Sequence, residues 1–432
     1  MYNIVKDFLS VRIFSMNARL AGISTALLVT STILAFDYVQ FYRAPLFFGE
    51  PRFERPGLSS AQITVTHGRA THAKNGVSKK TNLLNLYGVH HLQHMVSGVT
   101  ESINNPYQSV LQQLAALPNS KNFATLSLAG SLHTSEIMLD FAQNITNGFF
   151  VRAQLPLRKI HVSTAQFTDL TPINDHTLNR SNTIWQEVLQ SLDPILEQYS
   201  LTRNSYKTQG PSDLACSLGW TINYDDTGYY DFVDTTIQTG ALIPVSCPQN
   251  SNHLLELPLG YNKHAGGFII FEHSYGLYDW MTFGLHFQAL FFFANSSFTQ
   301  RVKTDNQQSG LVLLQKEKIQ EALGNQYVLG LFFKADHFIR GLSLTGGYSY
   351  SKQQNSTWFL LDHNKSYLFH DERLAGWSMQ TFHFVADYDF ADFNHQNLPI
   401  IGLVYNVPFY GKHIIKTALL GGSITLNIGW DF

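Results

Sequence analysis

The sequence predicts an all-β chain: a transmembrane antiparallel β-barrel of about 14 strands, with 12 and 16 as alternatives and short helices in the loop regions. Three observations predict it. Long segments alternate apolar and polar residues with a period of two, the signature of a strand with two unlike faces. Charged residues make up 14% and aromatic residues 13% of the 432-residue chain, where soluble domains carry about a quarter charged, while mean hydropathy is only -0.08. The connections between alternating segments are by turns long and short, as in barrels with short turns at one rim and long loops at the other. A helical membrane protein would instead show several runs of about 20 apolar residues. A net charge of -2 without a basic cluster argues against a nucleic-acid partner.

The elements follow in chain order. Leu20–Phe36 is an apolar run preceded by Lys6, Arg12 and Arg19, with small residues near its end and Ala35 as a cleavage point. This is the layout of a secretory signal, assigned to residues 1–35, with Met16 as an alternative start and an uncleaved anchor as the alternative reading. Residues 36–60 are expected to be a periplasmic N-terminal segment and residues 61–432 the barrel. Strand candidates at the start are 61–67, 82–90, 123–132 and 136–143. The apolar parity flips at "HTSE", from Leu126, Leu128 and Leu132 to Ile137, Leu139 and Phe141, marking a tight turn or a bulge. Taking it as a turn leaves 92–122 as a long periplasmic segment with a helical stretch, "NPYQSVLQQLAALP". A second helix is expected at 181–199, where Ser181 can cap, Trp185, Val188, Leu189 and Leu192 share a face, and Pro194 should kink or end it. It falls in the longest outer loop, 160–211. There it could narrow the lumen, cover the mouth, or pack on neighbouring loops.

Downstream the alternation is regular. Cys216, Leu218, Trp220, Ile222 and Tyr224 form one apolar row, Met281, Phe283, Leu285 and Phe287 another, and Phe382, Phe384, Ala386, Tyr388 and Phe390 a third. These strands are near the 9–11 residues needed to cross a bilayer, longer than the five or six usual in a soluble sandwich. Cys216 and Cys247 both fall on the apolar parity and are expected as buried or lipid-facing thiols rather than a bridge.

The last ten residues, "SITLNIGWDF", put Ile424, Leu426, Ile428, Trp430 and Phe432 on one face. This strand resembles the terminal assembly signal of bacterial outer-membrane β-barrel proteins, in which the last residue is typically Phe and every second residue before it is aromatic or aliphatic. The resemblance implies an outer-membrane location, outer-membrane lipid around the barrel, and recognition of this strand by the barrel-assembly machinery. The strand number is also similar to that of long-chain fatty-acid transport barrels, although no matching N-terminal plug motif is evident.

No constellation carries catalytic chemistry. There is no nucleophile elbow and no zinc-spaced motif. In "VHHLQH", His90 and His91 point to opposite faces of a strand, so a metal site with His94 would require a helical turn there. The chain is expected not to be an enzyme and to hold no cofactor and no metal. Its polar interest lies in the inward parity: Arg152, Gln154, Arg158, Glu272, His286, Gln288, Lys334, Asp387, Asp389, Asn406 and Asn427 are the lumen-lining candidates. The expected function is passive or weakly selective diffusion of small solutes past these side chains, with the 160–211 loop narrowing the path. A surface or structural barrel whose outer loops bind a partner is the first alternative, and a lipid-active enzyme the second. Oligomeric state is not legible.

Overall fold

A computed structural model describes residues 36–46 and 58–429, apart from 98, 100–105, 121, 147, 174–177, 226–227, 279, 294–295, 363–370 and 391–397. The expected signal segment 1–35 and the terminal Trp430 and Phe432 lie outside the described residues.

The main sheet has 13 strand segments, all antiparallel to their neighbours, and closes on itself. Two segments, Tyr206–Pro211 and Leu214–Asp225, are one strand interrupted by a bulge. Pro211 pairs with Leu157 and Ala215 with Gln154, leaving Ser212, Asp213 and Leu214 opposite two residues. The barrel therefore has 12 strands: β1 (Leu58–Ala70), β2 (Leu132–Thr146), β3 (Phe149–Val162), β4 (Tyr206–Pro211 with Leu214–Asp225), β5 (Phe232–Ile243), β6 (Gly266–Leu277), β7 (Met281–Phe292), β8 (Gln326–Ile339), β9 (Leu342–Gln353), β10 (Ser378–Asp389), β11 (Ile400–Lys412) and β12 (Ala418–Gly429). β12 pairs with β1 from Leu58↔Gly429 to Arg69↔Ala418 and shuts the seam.

The count of about 14 is thus reduced to the alternative of 12. Residues 82–90 are not a barrel strand but hold a 3-10 turn, Leu83–Asn85. Residues 123–132 split into Thr125–Ala129, outside the barrel, and the start of β2. The parity flip is not a turn at "HTSE", which lies inside β2: Leu126, Leu128 and Leu132 face the protein core of the outer loops, and Ile137, Leu139 and Phe141 face outward. Everything between β1 and β2 is then one outer loop, and 92–122 moves from the expected periplasmic position to the outer side. Long and short connections now alternate from β1 to β10, and the rule fails only at the end, where β11 and β12 are joined at the outer rim by the short stretch 413–417.

The outward row is largely apolar below the outer ends of the strands. Ile63, Leu139, Leu218, Ile237, Phe283, Leu329, Phe382 and Ile424 are all exposed to the surroundings, which is affordable only in lipid. The inward row carries polar and charged residues along with a set of apolar ones, among them Met138, Phe268 and Met379. Prolines inside strands lack a ladder donor and are tolerated at bulges. Pro156 faces the β4 bulge, where its carbonyl accepts the Ser212 amide at 2.7 Å. Pro408 adjoins the extra residue at the Gln380/Thr381 register shift. A closed sheet with no open edge and an apolar belt is the outer-membrane β-barrel architecture, and the chain resides in that membrane.

The outer loops fold together. Three small sheets join them: one unites His90–His91, Thr125–Ala129 and Gln166–Asp169, another Ser296–Arg301, Lys316–Ala322 and Thr357–Leu360, and the third His72–Lys74, Lys80–Asn82 and Ile414–Ile415. One hydrophobic cluster runs through them from Leu83 and Leu111 to Trp185, Leu196, Leu257, Leu311 and Ile415. The helices α1 (Gln108–Ala116), α2 (Thr183–Gln190) and α3 (Leu192–Gln198) belong to this cap. Asn182, rather than Ser181, caps α2, accepting the Trp185 amide at 3.1 Å. The expected single helix is broken at Ser191, because the Pro194 ring would collide with the carbonyl four residues back, at Gln190. Pro194 then sits in the first turn of α3, where its missing donor costs nothing.

Cys216 and Cys247 are both free thiols. Cys216 is on the outward row, whereas Cys247 lies beyond the end of β5, exposed in a loop rather than on a strand face.

Candidate functional site

Residues 36–46, expected below the barrel, lie inside it. Phe36 to Leu46 are buried apart from the half-buried Phe41, and a Gln40↔Arg43 bridge turns the chain back on itself. Phe36 and Asp37 stand at mid-height, beside Gln154 and Gln288. Phe41 and Tyr42 reach the outer loops, with the Ile415 amide donating to the Phe41 carbonyl at 2.8 Å and the Tyr42 hydroxyl donating to the Pro258 carbonyl. The segment is a finger pointing outward. Its apolar side chains pack against inward Met138, Phe150, Phe268, Ile270, Leu290, Val328 and Met379. It joins no barrel ladder.

Three polar clusters, around Glu136, Asp37 and Asp140, hold it. Glu136 on β2 forms ion pairs with Arg43 of the finger and with Arg158 on β3, the latter at 2.6 Å. Arg158 also donates to Gln40 Oε1 at 2.9 Å and to the Leu259 carbonyl at 2.6 Å. His286 on β7 stands between the Asp37 carboxylate, 3.2 Å from Nε2, and the Glu272 carboxylate, 3.4 Å from Nδ1. Gln288 clasps the Asp37 backbone, accepting its amide at 2.8 Å and donating to its carbonyl at 3.0 Å. Asp140 takes Arg152 Nε at 2.8 Å and Gln154 Nε2 at 3.1 Å, and Gln154 in turn accepts the Phe36 amide.

The bulge in β4 adds a fourth. It re-aims Asp213 inward, where the carboxylate accepts Ser246 Oγ at 2.6 Å and the Tyr261 amide at 2.6 Å. The Asp213 carbonyl accepts the Tyr38 hydroxyl at 2.8 Å.

All of the lumen-lining candidates lie on inward positions, but they divide. Arg152, Gln154, Arg158, Glu272, His286 and Gln288 bind the finger or the residues that hold it. Asn406, fully buried, accepts through its Oδ1 from His383 Nδ1 at 2.8 Å. Lys334, Asp387, Asp389 and Asn427 are half-buried and nearer the short-turn rim, with Lys334 paired to Asp336 at 2.7 Å. In the C-terminal strand Ile424 and Leu426 are exposed on the outward face, and Ile428 pairs with Ser59.

The sequence reading missed Asp37, Arg43, Glu136, Asp140 and Asp213. Two signals were present: charges inside the aromatic stretch "FDYVQFYR", and the break of alternation after Pro211. The lumen is filled by this finger, not narrowed by 160–211, whose helices lie in the cap.

Between cap, fingertip and strand tops is a cavity of about 170 Å³. Tyr42, Tyr87, Trp358 and Trp377 supply aromatic faces, and Gln326, Gln353, Glu256 and Glu321 supply polar groups. Glu321 accepts Trp358 Nε1 at 2.9 Å, and Gln353 accepts Trp377 Nε1 at 2.5 Å. Burial pushes the Glu256 carboxyl up to about 7 and lowers the Arg301 guanidinium to about 10. Arg301 is committed to structure: it donates to the carbonyls of Tyr199, Ser200, Ser251, Leu313 and Leu314. In "VHHLQH", His90 Nδ1 accepts the Leu311 amide at 2.9 Å and His91 Nε2 lies 3.1 Å from the Ser120 carbonyl. Among the described residues, no three His, Cys, Asp or Glu side chains gather as metal ligands.

No family model and no curated protein matches the chain. Solved structures similar to it include an outer membrane channel from Pseudomonas putida F1, at 9% identity and a TM-score of 0.49, covering 91% of this chain and 100% of that one. A mutant of the TodX monoaromatic hydrocarbon channel is similar at 10% identity and a TM-score of 0.33, covering 88% and 92%. The translocator domain of the autotransporter NalP from Neisseria meningitidis is similar at 9% identity and a TM-score of 0.34, covering 88% and 90%. All three fall below 0.5, too distant to transfer a function.

Proposed function

We propose that the chain is an outer-membrane channel for small solutes, held shut by its own residues 36–46. One observation carries this reading. The finger fills the lumen yet shares no ladder with the wall, so it can withdraw without opening the sheet. Passage is then passive and weakly selective, past the inward polar row, and the constriction is the finger. The cavity above the fingertip is the outer vestibule, suited by its aromatic and amide lining to uncharged polar solutes. The reading assigns no catalytic step and no cofactor. Ile424, Leu426 and Ile428 with the terminal aromatics serve as the signal taken by the barrel-assembly machinery.

Single-channel recording in planar bilayers tests it. The intact chain should be closed with brief openings, and deletion of residues 36–46 should give a steadily conducting pore. A silent barrel in both forms sinks the channel reading. The packed cap favours a second reading, a surface barrel that displays a folded outer domain to a partner. That reading predicts silence in both recordings and retention of a partner by the intact cap.

A further inference from the structure

We propose that the outward face of strands β1 to β4, at their outer ends, binds the phosphorylated headgroup of a glycolipid in the outer leaflet. Pairing register puts Arg69, His133, His161 and Lys207 side by side across four strands. One step toward the membrane centre, His67, Ser135, Lys159 and Gln209 form a second row. None of these eight residues is a carboxylate. The rings of His67 and His133 are 6.5 Å apart and those of His133 and His161 are 6.1 Å apart and stacked, so the rows form one continuous surface.

The level of the patch is set by the belt beneath it. On β3 the outward residues run Phe149, Val151, Ala153, Leu155 and Leu157 before Lys159 and His161. That apolar stretch covers about 26 Å of strand, or about 20 Å of bilayer depth at the usual ~40° tilt. Lys159 and His161 therefore stand at headgroup height. At their own outer ends the outward residues of β5 to β7 are Ile243, Gly267 and Phe291, without charge. Lys352 on β9 and Lys412 on β11 are also outward, either side of Ser378, but the two-row basic cluster lies on β1 to β4.

The spacing selects the ligand. Arg69 and Lys207 are separated by three strand intervals, roughly 15 Å. A single phosphate cannot meet both, whereas a headgroup with phosphates at either end of a sugar can. Ser135, Gln209 and the histidines between them supply hydrogen-bond partners for hydroxyls. Basic clusters beside the apolar span are the general means of anionic-lipid recognition. The assignment rests on the barrel and not on its conducting solute.

Native mass spectrometry of the full chain in mild detergent tests it, with added bisphosphorylated lipid A as probe. The wild type should retain the lipid, and the Arg69→Gln/Lys159→Gln/Lys207→Gln variant should bind on the order of a hundredfold more weakly, about fivefold for each charge removed. Single variants Arg69→Gln and Lys207→Gln, checked for heat-dependent gel migration, show the same trend if the triple variant fails to fold. Lys352→Gln, on the far side, should bind as the wild type does. Equal retention by wild type and charge variants overturns the proposal. So does equal affinity for dephosphorylated lipid A or for phosphatidylglycerol.

Discussion

Arg43 of the lumen finger and Arg158 of the wall share one carboxylate, Glu136, with Arg158 Nε at 2.6 Å. All three side chains are buried. Removing one partner of such a group leaves uncompensated charge and costs about 3–5 kcal/mol. Glu136→Gln strands two guanidiniums against the finger and should drive it from the lumen. A cysteine placed at Val39, now buried, should then react with a water-soluble maleimide. Unchanged protection of that cysteine in the Glu136→Gln background would show that the ion pairs do not hold the finger.

Gln288 holds the same finger without charge. Its amide makes two bonds to the Asp37 backbone, together worth about 1–3 kcal/mol net. Gln288→Leu is nearly isosteric and leaves the Asp37 backbone without these partners. More frequent channel openings are expected at unchanged barrel stability. If heat-dependent gel migration shifts while openings do not, Gln288 supports the wall rather than the finger.

Gly310 is a required glycine. Its φ is +76°, and a Cβ there would lie 2.2 Å from His90 Nδ1. Gly310→Ala should therefore break the His90–Leu311 contact between two outer loops and loosen the cap by about 1–3 kcal/mol. Limited proteolysis should cut the outer loops faster while the barrel keeps its heat-dependent migration. Wild-type cleavage rates would exclude this junction as a cap fastener.

The cap should also respond to pH in two directions. Burial raises Glu256 from its ordinary 4.5 to about 7. The folded cap then holds a proton that the unfolded chain has lost, so stability falls as pH rises from 4.5 through 7. Burial lowers His90 from 6.5 to about 4. Here the unfolded chain binds the proton first, so stability falls as pH drops from 6.5 through 4. Proteolysis of the outer loops should be faster on either side of the mildly acidic range. Glu256→Gln should flatten the alkaline limb and leave the His90 slope unopposed up to pH 6.5, and an unaltered alkaline limb would remove Glu256 as its cause.

Much of the barrel was legible in the residues because its two signals are local. Period-two alternation tells which side chains face lipid, and Leu218, Phe283 and Ile424 needed no neighbours to be read. The inward parity of Arg158, His286 and Gln288 followed from the same rule. What failed upstream was the meaning of apolar runs without a membrane. Leu84 and Leu126 look like strand residues, yet they serve the core of a cap built from distant loops, and periodicity cannot tell a lipid face from a protein face. Asp213 was hidden for another reason: a bulge changes parity, and only its pairing partner, Pro156, reveals where the carboxylate goes.

By itself the sequence determined a transmembrane β-barrel with unlike faces, long loops at one rim and a polar interior, because each of these is carried by the order of neighbouring residues. The tertiary structure alone decided that there are 12 strands, that Phe36 to Leu46 stand inside the lumen, and that Glu136 meets Arg43. Those facts depend on contacts between residues far apart in the chain. The free energy of burying a charged finger is settled by the partners waiting on the opposite wall, and no local pattern records them.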